Sequence, residues 1–565
     1  MKTNLTALFI LTASVLPLAA DMTPDQREFE MRRMAANYAK NYAPYEWKRE
    51  LFNYDMLDIT EWVRRARAAE SDVEYFEVAA QYVTSLRDTH SSYSLPSNFQ
   101  ASLGFHTDIY EGKVMIDNIV RATLPVSRYP FEIGWELVSI DGVPAEEMVR
   151  RIMPFISAAT PRTRARRAAQ YIATRLQATL PRAPEIGDTA TIVVRSPQGE
   201  ESSYEIPWTK FFAPLTSVGV VPSPVFADRF SPFLKLPGTP IPDEDVVPLW
   251  YRALGDYRNL ADPSPTGMVL NYGSLSPIWA LPTGFQRRLG AATGDAFFSG
   301  IYQAEDRRIG LIRIPNFGPS STANALRQFE TEIAFFQANA DGLVIDVTRN
   351  NGGDGCYAQE LLRRVIPYQF QMMGFEMRAS NRLVNTFSNF LEVARRSGAP
   401  DWQIALHQAQ LDAMVTANKE NRGRTGTLAL CTPTIEQLPA GVVFTKPIMV
   451  LTDDFSTSAA DVFPAIVQDA GRGPLFGYRT NGAGGAVSVF DEGVFSEATP
   501  RVTLSLMVRP KTVSVDGYPT TNYLENVGVH PDIPYDFMTV ENLRSGRRLF
   551  TDAFTRAIVA HINGQ

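Results

Sequence analysis

Two segments of this chain each predict a buried strand that runs into a turn of small residues and then into a helix. The first is "GLVIDVTRNNGGDG", residues 342–355, and the second is "IMVLTDDFSTSAADVF", residues 448–463. Nearly continuous apolar strands that alternate with helices are typical of a mainly parallel sheet covered on both faces. Such a sheet constrains the chain strongly, because the turns after its strands lie together at one edge, where helix N-termini point free amides at a ligand.

The same alternation of apolar strands with helices extends over residues 295–565. It predicts an α/β core there, within a multidomain α/β protein. Residues 21–103 show helical periodicity, and residues 104–212 show short β-like runs with one amphipathic stretch among them. From 213 to 294, prolines and glycines alternate with isolated aromatic residues. A segment this long without periodicity is either a functional lid, a removable segment or an irregular insertion.

The first 20 residues predict a secretory signal peptide. They combine one lysine, an apolar run from Leu5 to Leu18 and small residues before Asp21, where cleavage is expected after Ala20. The alternative is a buried N-terminal helix. No other stretch approaches the roughly 20 apolar residues that a membrane helix needs, so we expect an exported protein without a membrane span, either periplasmic or secreted. For an exported chain, Cys356 and Cys431 are either bridged or buried as free thiols.

The charge and the scarcity of metal ligands exclude several classes of function. The net charge of −7 and the absence of a basic patch argue against a nucleic-acid partner. The motif H-E-x-x-H is absent, and the five histidines are scattered along the chain, so we expect no metal. The turn "NNGGDG" lacks the lysine and hydroxyl of a phosphate-binding P-loop, so no nucleotide or other cofactor is expected.

The residues after the two strands indicate nucleophilic chemistry instead. Ser456 and Ser458 follow the second strand at the start of a helix, whose dipole favours a developing negative charge. The glycine turn after the first strand offers exposed amides nearby. A serine hydroxyl needs a base to take its proton, and His90, in the polar segment "SLRDTHSSY", is the best candidate among the histidines.

Four ordered motifs connect these residues to a known family: "GLVIDVTRNNGGDG", "IMVLTDDFSTSAADVF", "GYRTNGAGGAV" and "NYLENVGVHPDI". Together they resemble the core motifs of the C-terminal processing (tail-specific) peptidases, which are serine proteases. The segment "IGWELVSIDGVPAEEMVRRI" resembles part of a PDZ domain, a module that binds extended peptides as an added strand, although a β-rich spacer without a peptide groove is the alternative. One branch of the family uses a lysine after a T-x-G turn, and this chain has Ala483 at that place.

The resemblance is therefore to the Ser-His-Glu branch, which includes the tricorn core protease and secreted protease-like activity factors. It implies that Ser458 is the nucleophile, that His90 is the general base, and that Glu525 orients the histidine. Chain order is no objection, since triads are recognised by geometry. Glu525 could instead be a surface residue or a loop brace.

The resemblance also implies an oxyanion hole formed by the backbone amides of Ala459 and of Gly352 or Gly353. Ser456 is the alternative nucleophile, but its position suits a helix cap better. Ser91, beside His90, either helps to hold the site or is an exposed loop hydroxyl.

The expected activity is that of a serine endopeptidase acting through an acyl-enzyme on protein or peptide substrates. A non-catalytic member that binds peptides or apolar ligands, and an esterase with the same triad, are the alternatives. A homodimer is left open.

Overall fold

The computed structural model describes residues 21–564 apart from 217–271, 430, 432, 433, 436, 437, 439–441 and 491–493. The predicted signal peptide and most of the predicted insertion over residues 213–294 lie outside the described residues. Within the described ranges, no helix is both long enough and apolar enough to cross a membrane.

The N-terminal region is helical, as its periodicity predicts. Its first helix starts where the Thr23 side chain accepts the N–H of Gln26 and the Gln26 side chain accepts the N–H of Thr23, with Pro24 in the first helical position. Two short strands follow the four helices. The elements are α1 (Pro24–Asn41), α2 (Tyr45–Phe52), α3 (Thr60–Ala68), α4 (Asp72–Ser85), β1 (Ser92–Ser94) and β2 (Gln100–Ser102).

The β-rich region after these elements contains an antiparallel sheet in which five strands have the order β3-β4-β5-β8-β9, with β6 paired to β5. Strands β7 and β10 pair with β2 on either side of it. The elements are β3 (Phe105–Tyr110), β4 (Lys113–Ile119), β5 (Glu136–Ile140), β6 (Val143–Pro144), α5 (Ala145–Ile152), a 3₁₀ turn (Met153–Phe155), α6 (Pro161–Gln170), β7 (Thr174–Leu176), β8 (Thr189–Arg195), β9 (Glu201–Pro207) and β10 (Thr209–Phe211).

The C-terminal core is built on a seven-stranded sheet with the order β11-β12-β13-β14-β19-β20-β25. The prediction of a mainly parallel sheet is confirmed, because every pairing from β13 to β25 is parallel. The sheet begins at Gln286, earlier than the predicted boundary at residue 295, since β11 and β12 form an antiparallel hairpin that extends one edge. The sheet strands are β11 (Gln286–Leu289), β12 (Phe298–Ala304), β13 (Arg307–Arg313), β14 (Gly342–Asp346), β19 (Ile448–Thr452), β20 (Leu475–Gly477) and β25 (Ile533–Pro534).

Successive residues of a strand point to opposite faces of the sheet, and the central strands are apolar at nearly every position. Both faces of the sheet are therefore apolar, and helices cover both of them. In β14, Leu343 and Ile345 pack with α7, α8 and α11, whereas Val344 packs with α13. The helices of the core region are α7 (Thr322–Asn339), α8 (Gly355–Arg363), α9 (Asn381–Arg396), α10 (Asp401–Lys419), α11 (Ala459–Asp469), α12 (Val540–Arg544) and α13 (Arg548–Ile562). Its smaller strands are β15 (Phe370–Gln371), β16 (Gly374–Met377), β17 (Leu428–Ala429), β18 (Thr434–Ile435), β21 (Val487–Val489), β22 (Thr499–Thr503), β23 (Ser505–Val513) and β24 (Thr521–Tyr523).

A disulfide joins Cys356 near the start of α8 to Cys431, and their Cα atoms lie 5.7 Å apart. The bridge decides the question that the sequence leaves open about the two cysteines. The 75-residue separation between them contains the helical pair α9–α10, so the bridge closes the chain around this insertion.

A buried group of charges connects the β-rich region to the core. Arg166 on α6 donates to both carboxylate oxygens of Asp108 on β3, at 2.9 and 2.6 Å, and also to Asp454 in the turn after β19. Arg349, in the turn after β14, donates to the same Asp108 at 3.3 Å. The side chains of Arg166 and Asp108 are at most 2% exposed. The β-rich region is therefore held against the two turns that follow the central strands.

We predict that Arg166→Met destabilises the protein by about 3–5 kcal/mol, because two carboxylates lose a buried cationic partner. Chemical denaturation of the variant and the wild type measures the difference. The matched control is Arg150→Met, which breaks an exposed pair with Glu147 and should leave the free energy of unfolding nearly unchanged. Equal, small losses for the two variants would contradict the importance of the buried group.

We also predict that loss of the disulfide lowers the free energy of unfolding by about 4 kcal/mol, the loop-closure value for a separation of this length. The double variant Cys356→Ala/Cys431→Ala should therefore unfold at a lower denaturant concentration than the oxidised wild type. Reductant should bring the wild type close to the variant and leave the variant unchanged. A wild type insensitive to reductant would contradict the bridge.

Candidate active site

The two turns that the sequence singles out lie side by side because their strands are neighbours. Strands β14 and β19 pair in parallel, with Asp346 opposite Leu451, so both chains leave the sheet at the same edge. The turns are then hydrogen-bonded to each other: the N–H of Thr457 donates to the carbonyl oxygen of Asn350 at 3.0 Å. This edge is where an open α/β sheet places its binding site.

Ser458 lies in the second turn with a strained backbone. Its φ of 62° and ψ of −116° are values that a residue with a Cβ rarely adopts, and a local cost of about 1–3 kcal/mol is expected. It immediately precedes α11, which begins at Ala459. The side chain is buried at the start of a helix, where the helix dipole favours negative charge.

The carboxylate of Asp461, in the first turn of α11, holds this conformation. It accepts the N–H of Ser458 at 2.7 Å, and it also accepts the N–H groups of Gly482 and Ala483 at 2.8 and 3.2 Å. Burial raises the pKa of Asp461 to about 6, although the hydrogen bonds from Thr480 and from these amides lower it. One carboxylate thus joins the serine turn to the turn over residues 480–484.

The glycine turn after β14 contacts the serine directly. A Cβ added to Gly352 would lie 2.6 Å from the Cβ of Ser458, so no larger residue fits there. The amide of Gly352 donates to the Asn350 side chain at 2.8 Å, and the oxyanion role predicted for it would require that bond to be given up. Gly353 is equally confined, since its added Cβ would meet the backbone of Phe317 at 2.3 Å.

Ala459 is the best placed of the predicted oxyanion donors. Its N–H is the first of α11 and makes no backbone hydrogen bond within the part of the chain that the structure describes. The first amides of a helix have no partner within the helix, so this group remains available to a developing negative charge beside Ser458. The oxyanion hole as a whole stays a prediction.

His90 lies in the loop between α4 and β1 and is fully buried. Its backbone N–H donates to Asp88 at 2.8 Å, but within the described residues neither ring nitrogen has a hydrogen-bond partner. The pKa of the imidazole is lowered to about 4, mainly by burial. The negative charge of Asp88 raises the pKa, but it offsets only part of the decrease, and the positive charges of Arg501 and Lys48 lower the pKa further. The ring is therefore neutral at physiological pH, as a general base must be.

One side chain links the histidine loop to the serine turn. Asn481 accepts from the hydroxyl of Thr89 at 2.8 Å and donates to the hydroxyl of Thr457 at 3.0 Å. Thr89 directly precedes His90, and Thr457 directly precedes Ser458. The structure therefore brings the two loops together, although it shows no hydrogen bond between the imidazole and the serine hydroxyl.

Glu525 is buried in the same region and is bound to Lys48 of α2. The ammonium nitrogen of Lys48 lies 2.5 Å from one carboxylate oxygen of Glu525, and the other oxygen accepts the N–H of Gly484 at 3.2 Å. Burial, with the charge of Asp88, raises the pKa of Glu525 to about 8, and Lys48 acts in the opposite direction. The structure thus places Glu525 near the site without a hydrogen bond to His90.

Ser456, the alternative nucleophile, and Ser91, beside His90, are both buried and hydrogen-bonded to other groups. The hydroxyl of Ser456 donates to the carbonyl of Val347 at 2.8 Å and lies 3.0 Å from Asp453, so it braces the turns. The hydroxyl of Ser91 contacts Asp88 at 3.1 Å.

Sequence analysis missed Lys48, Asn481 and Asp461. Lys48 lies on a short helix rich in charges, where nothing in the local pattern separates a buried lysine from a solvated one. Asn481 stands in the quoted motif "GYRTNGAGGAV", but its partners are distant in sequence. Asp461 had a local signal, because an acidic residue three positions after the residue that precedes a helix is typical of a capping arrangement.

Comparisons with known proteins identify the two main regions of the chain. Residues 308–535 match the model of peptidase family S41, and residues 99–214 match a PDZ domain. A protein of Chlamydia trachomatis is 22% identical over 92% of this chain and 90% of its own length. A protein of Chlamydia pneumoniae is 23% identical over 96% of this chain and 91% of its own length.

The fold is similar to two solved structures of mature CPAF. The structure complexed with lactacystin has a TM-score of 0.73 at 18% identity and covers 96% of this chain and 99% of that chain. The other has a TM-score of 0.74 at 18% identity, with 96% and 98% covered. The family match falls on the segment that contains both turns, and it follows that the protein is a serine-type peptidase with an S41 family domain behind a PDZ domain.

Proposed function

We propose that the protein is an exported endopeptidase in which Ser458 is the nucleophile, His90 the general base and Glu525 the residue that orients the histidine. The observation that carries this proposal is the buried, neutral imidazole of His90, whose nitrogens have no described partner and whose loop is tied to the serine turn. A polar ring left unbonded in a buried position is costly unless a substrate or a catalytic step uses it.

The reaction would proceed through an acyl-enzyme. His90 takes the proton of the Ser458 hydroxyl while the oxygen bonds to the carbonyl carbon of the scissile peptide. The negative charge that develops on the carbonyl oxygen is stabilised by the amide of Ala459 and the dipole of α11. When the carbon–nitrogen bond breaks, His90 returns the proton to the leaving amine, and water then releases the acyl group by the same route.

Glu525 supports this role through its position in the buried charge group around His90. The Asp88 carboxylate acts on the pKa values of both His90 and Glu525. Catalytic hydrogen bonds are often absent before substrate binds, so the Lys48 partnership of Glu525 describes the free protein. We propose that Glu525, in the ionised state that Lys48 and the amide of Gly484 favour, stabilises the imidazolium once His90 has taken the serine proton.

We predict that a fluorophosphonate probe labels the wild-type protein at Ser458. Ser458→Ala should abolish the labelling, while His90→Ala and Glu525→Gln should slow it by about 10³-fold or more, because an unassisted serine is a weak nucleophile. Mass spectrometry of the labelled peptide identifies the modified residue. Ser456→Ala is the matched control, since it removes a neighbouring hydroxyl, and it should still be labelled. Absence of labelling in folded wild type would contradict the proposed role of Ser458 as an activated nucleophile.

Export is part of the proposal and has its own test. The Cys356–Cys431 bridge supports it, because disulfides persist in oxidising compartments. We predict that the mature protein begins at Asp21 and separates from cytosolic markers on fractionation, with N-terminal sequencing as the measurement. A full-length chain that stays with the cytosolic marker would contradict export and leave the catalytic proposal untouched.

A further inference from the structure

The serine turn depends on a restraint that the triad does not provide. Ser458 has a backbone conformation that is unfavourable for a residue with a side chain, and such a conformation persists only where surrounding contacts impose it. Its N–H is directed to the carboxylate of Asp461 at 2.7 Å. Without that acceptor, the buried N–H would lose its hydrogen bond and the strained turn would be free to relax.

The same carboxylate restrains the turn over residues 480–484, which also reaches the other catalytic groups. Asp461 accepts the N–H groups of Gly482 and Ala483, and the next amide of that turn, from Gly484, donates to Glu525. Asn481 of the same turn bonds to the residues that precede His90 and Ser458. A shift of this turn would therefore move several parts of the site together.

Four groups face the Asp461 carboxylate, and all of them are uncharged donors. They are the amides of Ser458, Gly482 and Ala483 and the side chain of Thr480. Besides burial, the hydrogen bonds from these donors are the main influences on the ionisation of Asp461. An ionised carboxylate can accept from all four donors, whereas a protonated one presents an O–H and loses acceptor capacity.

We propose that Asp461 is a positioning residue for the proposed peptidase reaction: its ionised carboxylate holds Ser458 in the attacking conformation and fixes the 480–484 turn against it. This inference rests on the proposed function of Ser458. It assigns Asp461 no contact with substrate and no proton transfer.

The proposal has a measurable consequence for the pH dependence of the serine. As the pH falls, Asp461, whose pKa burial raises to about 6, takes up a proton before His90, whose pKa burial lowers to about 4. The active form requires Asp461 ionised and His90 neutral, so of these two groups the one with the higher pKa causes the loss of activity near pH 6. Glu525, whose pKa burial raises to about 8, titrates above both, and its contribution is common to the wild type and to a variant of Asp461. The fall of the wild-type rate near pH 6, the acid limb of the pH profile, then follows the protonation of Asp461. In a variant whose residue 461 does not titrate, the acid limb should instead follow the protonation of His90.

The experiment is the rate of fluorophosphonate labelling of Ser458 between pH 4 and pH 8, for the full chain and for Asp461→Asn. We expect the wild-type rate to fall about tenfold per pH unit below about 6, as one proton binds. In the variant, we expect a rate about 10²-fold lower at pH 8, because the serine is misplaced, and an acid limb that moves towards pH 4. A wild-type limb near 4, or a limb near 6 that survives the substitution, would overturn the proposal.

Asp295→Asn is the matched control. This carboxylate also accepts three backbone amides, those of Gly290, Ala291 and Ala292 at 2.7, 3.0 and 2.9 Å, but it lies beside β11 at the far edge of the sheet. It should change neither the plateau rate nor the acid limb.

A second measurement separates this proposal from the proposed function. Hydrogen exchange followed by mass spectrometry reports the amides of the serine turn and of the 480–484 turn without any catalytic step. In Asp461→Asn, peptides covering both turns should exchange at least about tenfold faster, while the rest of the chain keeps wild-type exchange. Unchanged exchange would overturn the positioning role even in an active enzyme. Faster exchange in a protein that the probe never labels would instead support the restraint by Asp461 and contradict the proposed role of Ser458 as the nucleophile.

Discussion

The parallel pairing of β14 with β19 is the constraint on which the site depends. It brings a glycine turn and a serine turn out of the sheet at one edge, and the two turns then hydrogen-bond to each other. The difference between them has a steric cause. Gly352 faces the Cβ of Ser458 at a distance that leaves no room for another side chain, so one turn must lack a side chain for the other turn to present one.

The strain in the serine turn and the charges around it have a common basis. Ser458 is held by a carboxylate that is buried, and burial of that carboxylate is tolerated because amides and a hydroxyl surround it. The buried carboxylate of Glu525 is likewise tolerated because it has a partner, the ammonium group of Lys48. Polar groups that would be costly alone are retained in this core as members of connected networks, and each network includes a residue of the turn over 480–484.

Local pattern in the sequence was sufficient to predict the main regions of the fold. The apolar runs and their spacing predicted the parallel core, and the helical and β-rich regions before it, because burial and periodicity are properties of neighbouring residues. The same pattern predicted the position of Ser458 before a helix. The partnership of Lys48 with Glu525 could not be predicted, since it joins residues far apart in the chain and a lysine on a helix is usually solvated. The edge hairpin that begins at Gln286 was missed because it comes after a segment without periodicity.

The candidate site contains residues from three regions that are separate in sequence. The segment that matches the peptidase family contains Ser458 and Glu525, but His90 and Lys48 come from the N-terminal helical region, and Arg166 of the PDZ domain binds Asp454 beside the serine turn. The contacts between regions are buried and charged, and a buried charge without its partner is strongly unfavourable. The turn that contains Ser458 is therefore supported by contacts from all three regions and not by the family segment alone.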